Sequence, residues 1–462
     1  MEFKGGLMQH RFMTGIKKHI VLTLALYLAF VLILILGELI PSTAYYDNAI
    51  EAAKTIVDEG EYPSFLSVVM YDNWTDAFLI NSLLTSSEEN VFPNAIHNNV
   101  TIVSGKSVND DTLPILKQMA DSDSHINGEI AAYSRYWVGF KTVLKILLIF
   151  FSLKEIRTLL FLSCVFLFLI VEVKIYYEMG RRGLLAFTIS VLSYMYLLNT
   201  PCMAFFFDVL IMLSFVYNIL EKRKSAFSYY LVGAIVAFPC YWSFPLITLT
   251  YPLLIENLVP RGKRMPISEL IFKSVAWMGG LVSTVAVKQL ILFIMDGHET
   301  ADGFGQMALR LGLDLGVSFR VFTPLIFIMD EFCYLGLVVA WIFVVLVLVF
   351  GTNLKLSYES KILLGGLSAI MIAMNIFGDN KIRAVLFVAL FMAISVALIK
   401  HRNNYGNRYL NVYLISLYPL VWYYVFLEHS WHWFVHYIYG PTIFAILYVI
   451  FSSEELKIKK IC

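Results

Sequence analysis

Apolar stretches about as long as a bilayer's hydrocarbon core is thick follow one another from Ile20 to Ile450, interrupted mainly by short connectors. Roughly twenty apolar residues in helical form span about 30 Å, which is that thickness. A soluble core cannot absorb so many such runs, and 59% hydrophobic against 15% charged residues points the same way. The expected fold is all-α: a polytopic helical membrane protein with about 11 to 13 membrane helices. The first run, Ile20–Gly37, follows Lys17 and Lys18 and lacks a small-x-small cleavage site, so it is expected to remain as the first membrane helix.

Charge sorts the connectors. Basic residues collect at Arg11, Lys17 and Lys18, at Arg181 and Arg182, at Lys222 to Lys224, at Arg261 to Arg264, at Lys400 to Arg408, and at Lys457 to Lys460. Placing all of these in the cytoplasm satisfies the positive-inside rule. Both termini are then cytoplasmic in a multi-pass cell-membrane protein, and residues 38–141 lie outside. That outer segment holds 15 Asp and Glu against 5 Lys and Arg. Three regions follow: 1–37, the amino-terminal segment and first helix; 38–156, an extracytoplasmic cap ending in an amphipathic interfacial helix; 157–462, the multi-helix membrane domain. In the cap, Ile50, Ala53, Ile56 and Val57, then Phe78, Leu79 and Leu83, recur at helical spacing, so the cap should be mainly helical. In Tyr136–Phe151, Lys141 and Lys145 stand one turn apart, as in a helix lying along the membrane surface. The stretch LVGAIVAFPCYWSFPLITLTYPLLI is too short for two full crossings although both flanks are basic. Two short helices meeting inside the protein fit it better than one proline-kinked span.

Net charge is +1, which leaves no field for a nucleic-acid partner. The five cysteines lie in or beside apolar runs, with neither a disulfide framework nor thiol-metal spacing.

Candidate chemistry gathers on the outer side. Glu38 ends the first span in GELIP, where desolvation readies a carboxylate as a general base unless a cation neutralises it. Asp47 could share its site. Asp72 and Asp76 sit four apart around Trp74, a spacing that suits a divalent cation or sugar hydroxyls but more often marks a solvated helix face with an N-cap aspartate. Arg135 beside Tyr136 and Trp137 could grip a lipid-linked phosphate with its planar fork, or snorkel from an aromatic belt. Lys381 and Arg383 add a second anion grip. In LEHSWHWFVHY, His429, His432 and His436 share one helical face with Glu428 one turn from His432. With neither HExxH nor a cysteine pair, that cluster reads better as a polar cavity wall than as zinc ligands.

A first helix ending in an acid, a large outer loop with short helices, then many spans whose outer connectors converge, together resemble the GT-C membrane glycosyltransferases. The resemblance rests on general plan and on Glu38, with Asp47 secondary; the paired acidic dipeptide and WWDYG-type block of some members are absent. It implies a polyprenyl-phosphate-sugar donor, a glycan or glycolipid acceptor in the cell envelope, and no cofactor, a divalent cation being possible but not required. Glu38, with Asp47, would deprotonate the acceptor, and Arg135, Lys381 or Arg383 would hold the departing phosphate. The rival readings are a transporter or flippase of lipid-linked saccharide, for which Asp208 in MAFFFDVLIML is the most deeply placed acid, and a non-catalytic scaffold of envelope polysaccharide assembly.

Overall fold

The computed structural model describes residues 2–65, 69–85, 90–105, 112–121, 128–239, 243–260, 265–296, 407–416, 418 and 440–452. The expected spans between 333 and 400, and the LEHSWHWFVHY segment, lie outside the described residues.

The described chain is mostly helical, and four stretches are long and apolar enough to cross a membrane: Lys17–Glu38, Leu153–Asn199, Met203–Glu221 and Ile267–Asp296. The first belongs to α1 (Glu2–Glu38). Tyr27, Phe30 and Leu34 are buried against the protein, while Leu24, Leu28, Leu32 and Leu36 stand open at every fourth residue. An open face of leucines is compatible with a hydrocarbon surrounding.

The second stretch begins in α7 (Leu153–Ser193), which is two arms rather than one rod. Gly180 has φ 70° and ψ −174°, far from helical. In a straight helix Glu172 and Thr188 would lie about 24 Å apart. Instead the Thr188 hydroxyl donates to the Glu172 carboxylate, and Phe168 stacks on Phe187 with ring centres 6.0 Å apart. The chain therefore doubles back at Gly180, beside Arg181 and Arg182, as the two separate spans expected from the sequence require.

α9 (Met203–Glu221) follows the single turn α8 (Tyr196–Asn199). Next come α10 (Ala226–Val236) and α11 (Ile247–Leu258), the two short helices expected around the proline-flanked break. The break makes a hairpin: Lys224 N–H and Tyr229 O–H, at the start of α10, both donate to Glu256 near the end of α11, at 3.1 and 2.7 Å. α10 also crosses α12 (Ile267–Asp296) at glycine, where a Cβ on Gly280 would meet the Tyr230 carbonyl oxygen at 2.0 Å. The remaining described helices are α13 (Asn407–Ser416) and α14 (Gly440–Ser452).

Between α1 and α7 lies the cap. α2 (Tyr46–Glu59), α3 (Asn73–Leu84), α4 (Val91–His97) and α5 (Thr112–Ala120) build it. Two short antiparallel ladders that the sequence did not suggest join them: β1 (Ser64–Phe65) with β2 (Val69–Met70), and β3 (Asn99–Val103) with β4 (Gly128–Ala132). Ala53, Ile56, Phe78, Leu79 and Leu83 are buried, as their helical spacing implies. The Asn81 side chain pairs with the backbone of Thr101 in both directions at 2.8 Å, tying α3 to β3.

α6 (Phe140–Phe150) reverses the expected amphipathic helix. Its lysines point inward, with Lys141 and Lys145 buried, and its open face carries Val143, Ile146 and Phe150. An exposed apolar face with both charges turned inward suits contact with lipid tails better than a seat among headgroups.

Candidate functional site

Two polar clusters sit where the cap meets the long apolar helices. The first is built on the end of α1. Gly37 leaves room for Thr142, whose hydroxyl would lie 2.2 Å from any Cβ there, and Thr142 donates to the Ile33 carbonyl at 3.1 Å. This docking lays α6 across α1 so that Lys141 and Lys145, one turn apart, both reach Glu38. Lys141 Nζ lies 2.9 Å from Oε1 and Lys145 Nζ 2.9 Å from Oε2. The Tyr45 ring stands 5.6 Å from the Lys145 ammonium, and Asn48 Nδ2 ties α2 to the Leu148 carbonyl at 2.7 Å.

Two cations thus stand where the expectation for Glu38 allowed one: each carboxylate oxygen is held by an ammonium group, and the cluster carries a net positive charge. Asp47 does not join it: it is exposed in the first turn of α2, where its charge favours the helix dipole.

The second cluster bears out an N-cap at Asp72 and departs from the open-face expectation at Asp76. Asp72 caps α3: Oδ1 accepts from Thr75 N–H at 3.0 Å and Oδ2 from the Thr75 hydroxyl at 2.5 Å. Asp76 is fully buried between cap and bundle, where it accepts from Met203 N–H at 3.4 Å and Cys202 Sγ–H at 3.7 Å. A carboxylate from α3 thus caps the start of α9. Arg157 of α7 approaches Asp76 to 3.8 Å but spends its fork on Glu59, at 2.7 and 2.9 Å, and on Asn73 Oδ1 at 2.9 Å. Burial pushes the Asp76 carboxyl up to about 7, against the opposing pull of Arg157. Among the described residues no group of His, Cys, Asp and Glu could hold a metal ion.

Arg135 and its aromatic neighbours part company. Arg135 is half-buried with its guanidinium 5.9 Å from the Tyr133 ring. Tyr136 and Trp137 are structural posts rather than ligand contacts. Both are buried; Lys288 donates to the Tyr136 carbonyl, and Trp137 Nε1–H donates to the Thr284 carbonyl at 2.7 Å. Lys381, Arg383, Glu428, His429, His432 and His436 lie outside the described residues.

Sequence reasoning passed over several partners. Lys141 and Lys145 were noted only as neighbours on a face; their i, i+4 spacing beside a buried acid was the available signal. Arg157 stands in LKEIRT at the polar head of an apolar run, where it reads as one more flanking charge. His97 and Asp296 form a 2.6 Å pair across 199 positions, which no local pattern reveals.

Comparison with protein-family models, with curated proteins and with solved structures finds no match.

Proposed function

We propose that the chain is a membrane protein that handles a lipid-linked saccharide at the cap side of the bilayer, as a GT-C-like transferase drawing on a polyprenyl-phosphate-sugar donor. One observation carries this reading. A groove of ≈ 410 Å³ runs between α1, α6, α9 and α10, lined by Ile33, Val143, Phe207, Ile211, Ile235 and Phe238 among others. From Phe207 to Asn218 it follows about 16 Å of α9, roughly half the depth of a hydrocarbon core. Such a slot suits one isoprenoid or acyl chain. Gly139 and Val143 line its α6 side, on the face opposite the buried Lys141 and Lys145, so a phosphate on a chain lying there would meet those lysines only by rounding the start of α6.

The chemistry follows from the charges. A donor phosphate competes with Glu38 for Lys141 and Lys145, and a lysine drawn to phosphate frees one Glu38 oxygen to take the acceptor's proton. Donor binding then arms the base, and both ammoniums face the charge that grows on the leaving phosphate. The transporter reading has an observation of its own: Asp208 is 1% exposed within α9, its Oδ2 accepts from Phe244 N–H at 3.0 Å, and its Oδ1 has no partner. Lone acids in spans are features of transport paths.

The test uses the full chain in nanodiscs with polyprenyl-phosphate hexose bearing a photoreactive diazirine in the first isoprene units. Crosslinks should fall on the α9 and α10 peptides, and Ile235→Trp, which fills the groove at a partly open position, should reduce them at least fivefold. Crosslinks spread evenly over the lipid-facing helices, or indifferent to Ile235→Trp, reject the donor site. For orientation, Ser104→Cys should react with a membrane-impermeant maleimide from outside intact cells and Ser225→Cys only after permeabilisation. The reverse pattern inverts the assignment of the cap side as outer.

A further inference from the structure

A third polar site lies where α4, the turn at 133–137 and the far end of α12 meet. His97 closes α4, and its Nε2 lies 2.6 Å from Oδ2 of Asp296, the last residue of α12. The two side chains are 16% and 27% exposed, so the pair is reachable. The Ser134 hydroxyl donates to the His97 carbonyl at 3.5 Å, and Gln289 Nε2 donates to the Ser134 carbonyl at 3.4 Å. Gln289 and Asp296 are seven residues apart and share a face of α12.

Two carboxamides with unfilled atoms belong to the same junction: Asn98 follows His97 in the chain, and Gln289, two turns before Asp296, is linked to His97 through Ser134. Asn98 is 2% exposed at φ 53°, and neither its Nδ2 nor its Oδ1 has a partner. Gln289 is fully buried with Oε1 unpartnered. Burying a carboxamide without partners is unfavourable, and such groups are rare in native structures unless something else satisfies them. The next cation along α12, Lys288, is occupied with the Tyr136 carbonyl. The unfilled groups are therefore neutral carboxamide donors and acceptors beside an imidazole–carboxylate pair. That set favours hydroxyl groups, which both give and accept hydrogen bonds, over phosphate or carboxylate, which Asp296 would repel.

We propose that this junction binds a sugar ring, with His97 and Asp296 taking hydroxyls at the open side and Asn98 and Gln289 completing the contacts within. The site is the saccharide-recognising part of the reading above and rests on it for its purpose, while the binding itself can be measured alone. The probes are methyl α-mannopyranoside, methyl β-glucopyranoside and methyl β-galactopyranoside, observed by saturation-transfer NMR on the full chain in nanodiscs free of glycoside detergent. At least one should bind saturably. His97→Gln should weaken that binding fivefold or more, and so should Asn98→Gly, which removes the amide and suits the positive φ. No binding by any of the three, or binding unchanged in whichever of these variants keeps its thermal transition, overturns the proposal. Ile235→Trp should leave sugar binding intact. Sugar binding without lipid crosslinking then rejects only the donor reading, and crosslinking without sugar binding rejects only this site.

Discussion

Leucine in place of Gly280 is expected to abolish the folded, monodisperse protein, and alanine alone to lower its melting temperature sharply. The cause is the crossing of α10 and α12. A Cβ on Gly280 would sit 2.0 Å from the Tyr230 carbonyl oxygen and 2.8 Å from the Ala234 nitrogen; on Gly233 it would sit 2.0 Å from the Trp277 carbonyl oxygen. All of these obstacles are backbone, which cannot swing aside as a side-chain tip can. In hydrocarbon, apolar surface gains little from leaving lipid, so helices associate through close packing and hydrogen bonds. Thr284, one turn on, donates to the Ala234 carbonyl at 3.3 Å and would lose that contact when the helices part. Overpacking a core costs about 1–3 kcal/mol where side chains give way, and more where backbone must. The adjacent glycine supplies the control. A Cβ on Gly279 meets only Tyr230 Cδ2, at 3.9 Å, so Gly279→Ala should melt close to wild type. Equal melting temperatures for the two alanine variants, read by fluorescence-detected size exclusion after heating, would show that the close crossing is not what holds α10 to α12.

The crossing also shows what kind of structure was legible in the sequence. Among the described residues the positions of the long apolar helices were, because length and apolar composition can be counted directly. The turn at Gly180 was legible through Arg181 and Arg182, and the α10–α11 break through Pro239 and Pro245. Contacts that act at a distance left no such trace. The lysines of α6 read as headgroup anchors because nothing local said that Glu38, more than 100 positions away, would be their counter-ion. Asp72 and Asp76 read as a pair because they share a helix at i, i+4. Yet the first turn of α3 used Asp72 as its cap, while the approach of α9 turned Asp76 into the interface. Trp137 and Tyr136 read as an aromatic belt, and they are buried because α12 supplies partners for an indole N–H and a backbone carbonyl. The β3–β4 ladder was hidden for another reason: its strands are five residues each and separated by α5, so neither announces the other.

Arg157→Leu is expected to loosen the cap from the bundle, with a cost of about 3–5 kcal/mol, the usual result of removing one partner from a buried ion pair. From α7, Arg157 touches four cap side chains: Glu59, Asn73, Asp76 and, with its guanidinium 5.5 Å from the ring centre, Tyr71. Without it Asp76 keeps the backbone N–H groups of Met203 and Ala204 and the Cys202 Sγ–H, none of them a cation. Lysine should not substitute, since a single ammonium cannot span Glu59 and Asn73 as the planar fork does. The pH dependence identifies the responsible carboxyl. Asp76 has its folded value raised from 3.8 to about 7, so the folded state holds this proton more tightly than the unfolded chain does. Its contribution therefore favours folding most below about pH 4 and is lost progressively as pH rises through about 7. The difference is on the order of 4 kcal/mol, by about 1.4 kcal/mol per tenfold change in proton affinity. Loss of Arg157 removes the one cation that opposes the rise, so the Leu variant should shed stability over a window reaching to higher pH and should be partly rescued by acid. Asp76→Asn keeps the shape and deletes the charge. Combined with Arg157→Leu it should recover part of the loss at pH 8, when the ionised carboxyl is most costly, and little at pH 5, when it is already neutral. Unfolding midpoints for wild type, both single variants and the double variant at pH 5 and pH 8 make the cycle. Purely additive midpoints at pH 8 would mean that Arg157 and Asp76 do not interact, and that Glu59 and Asn73 alone hold the clamp.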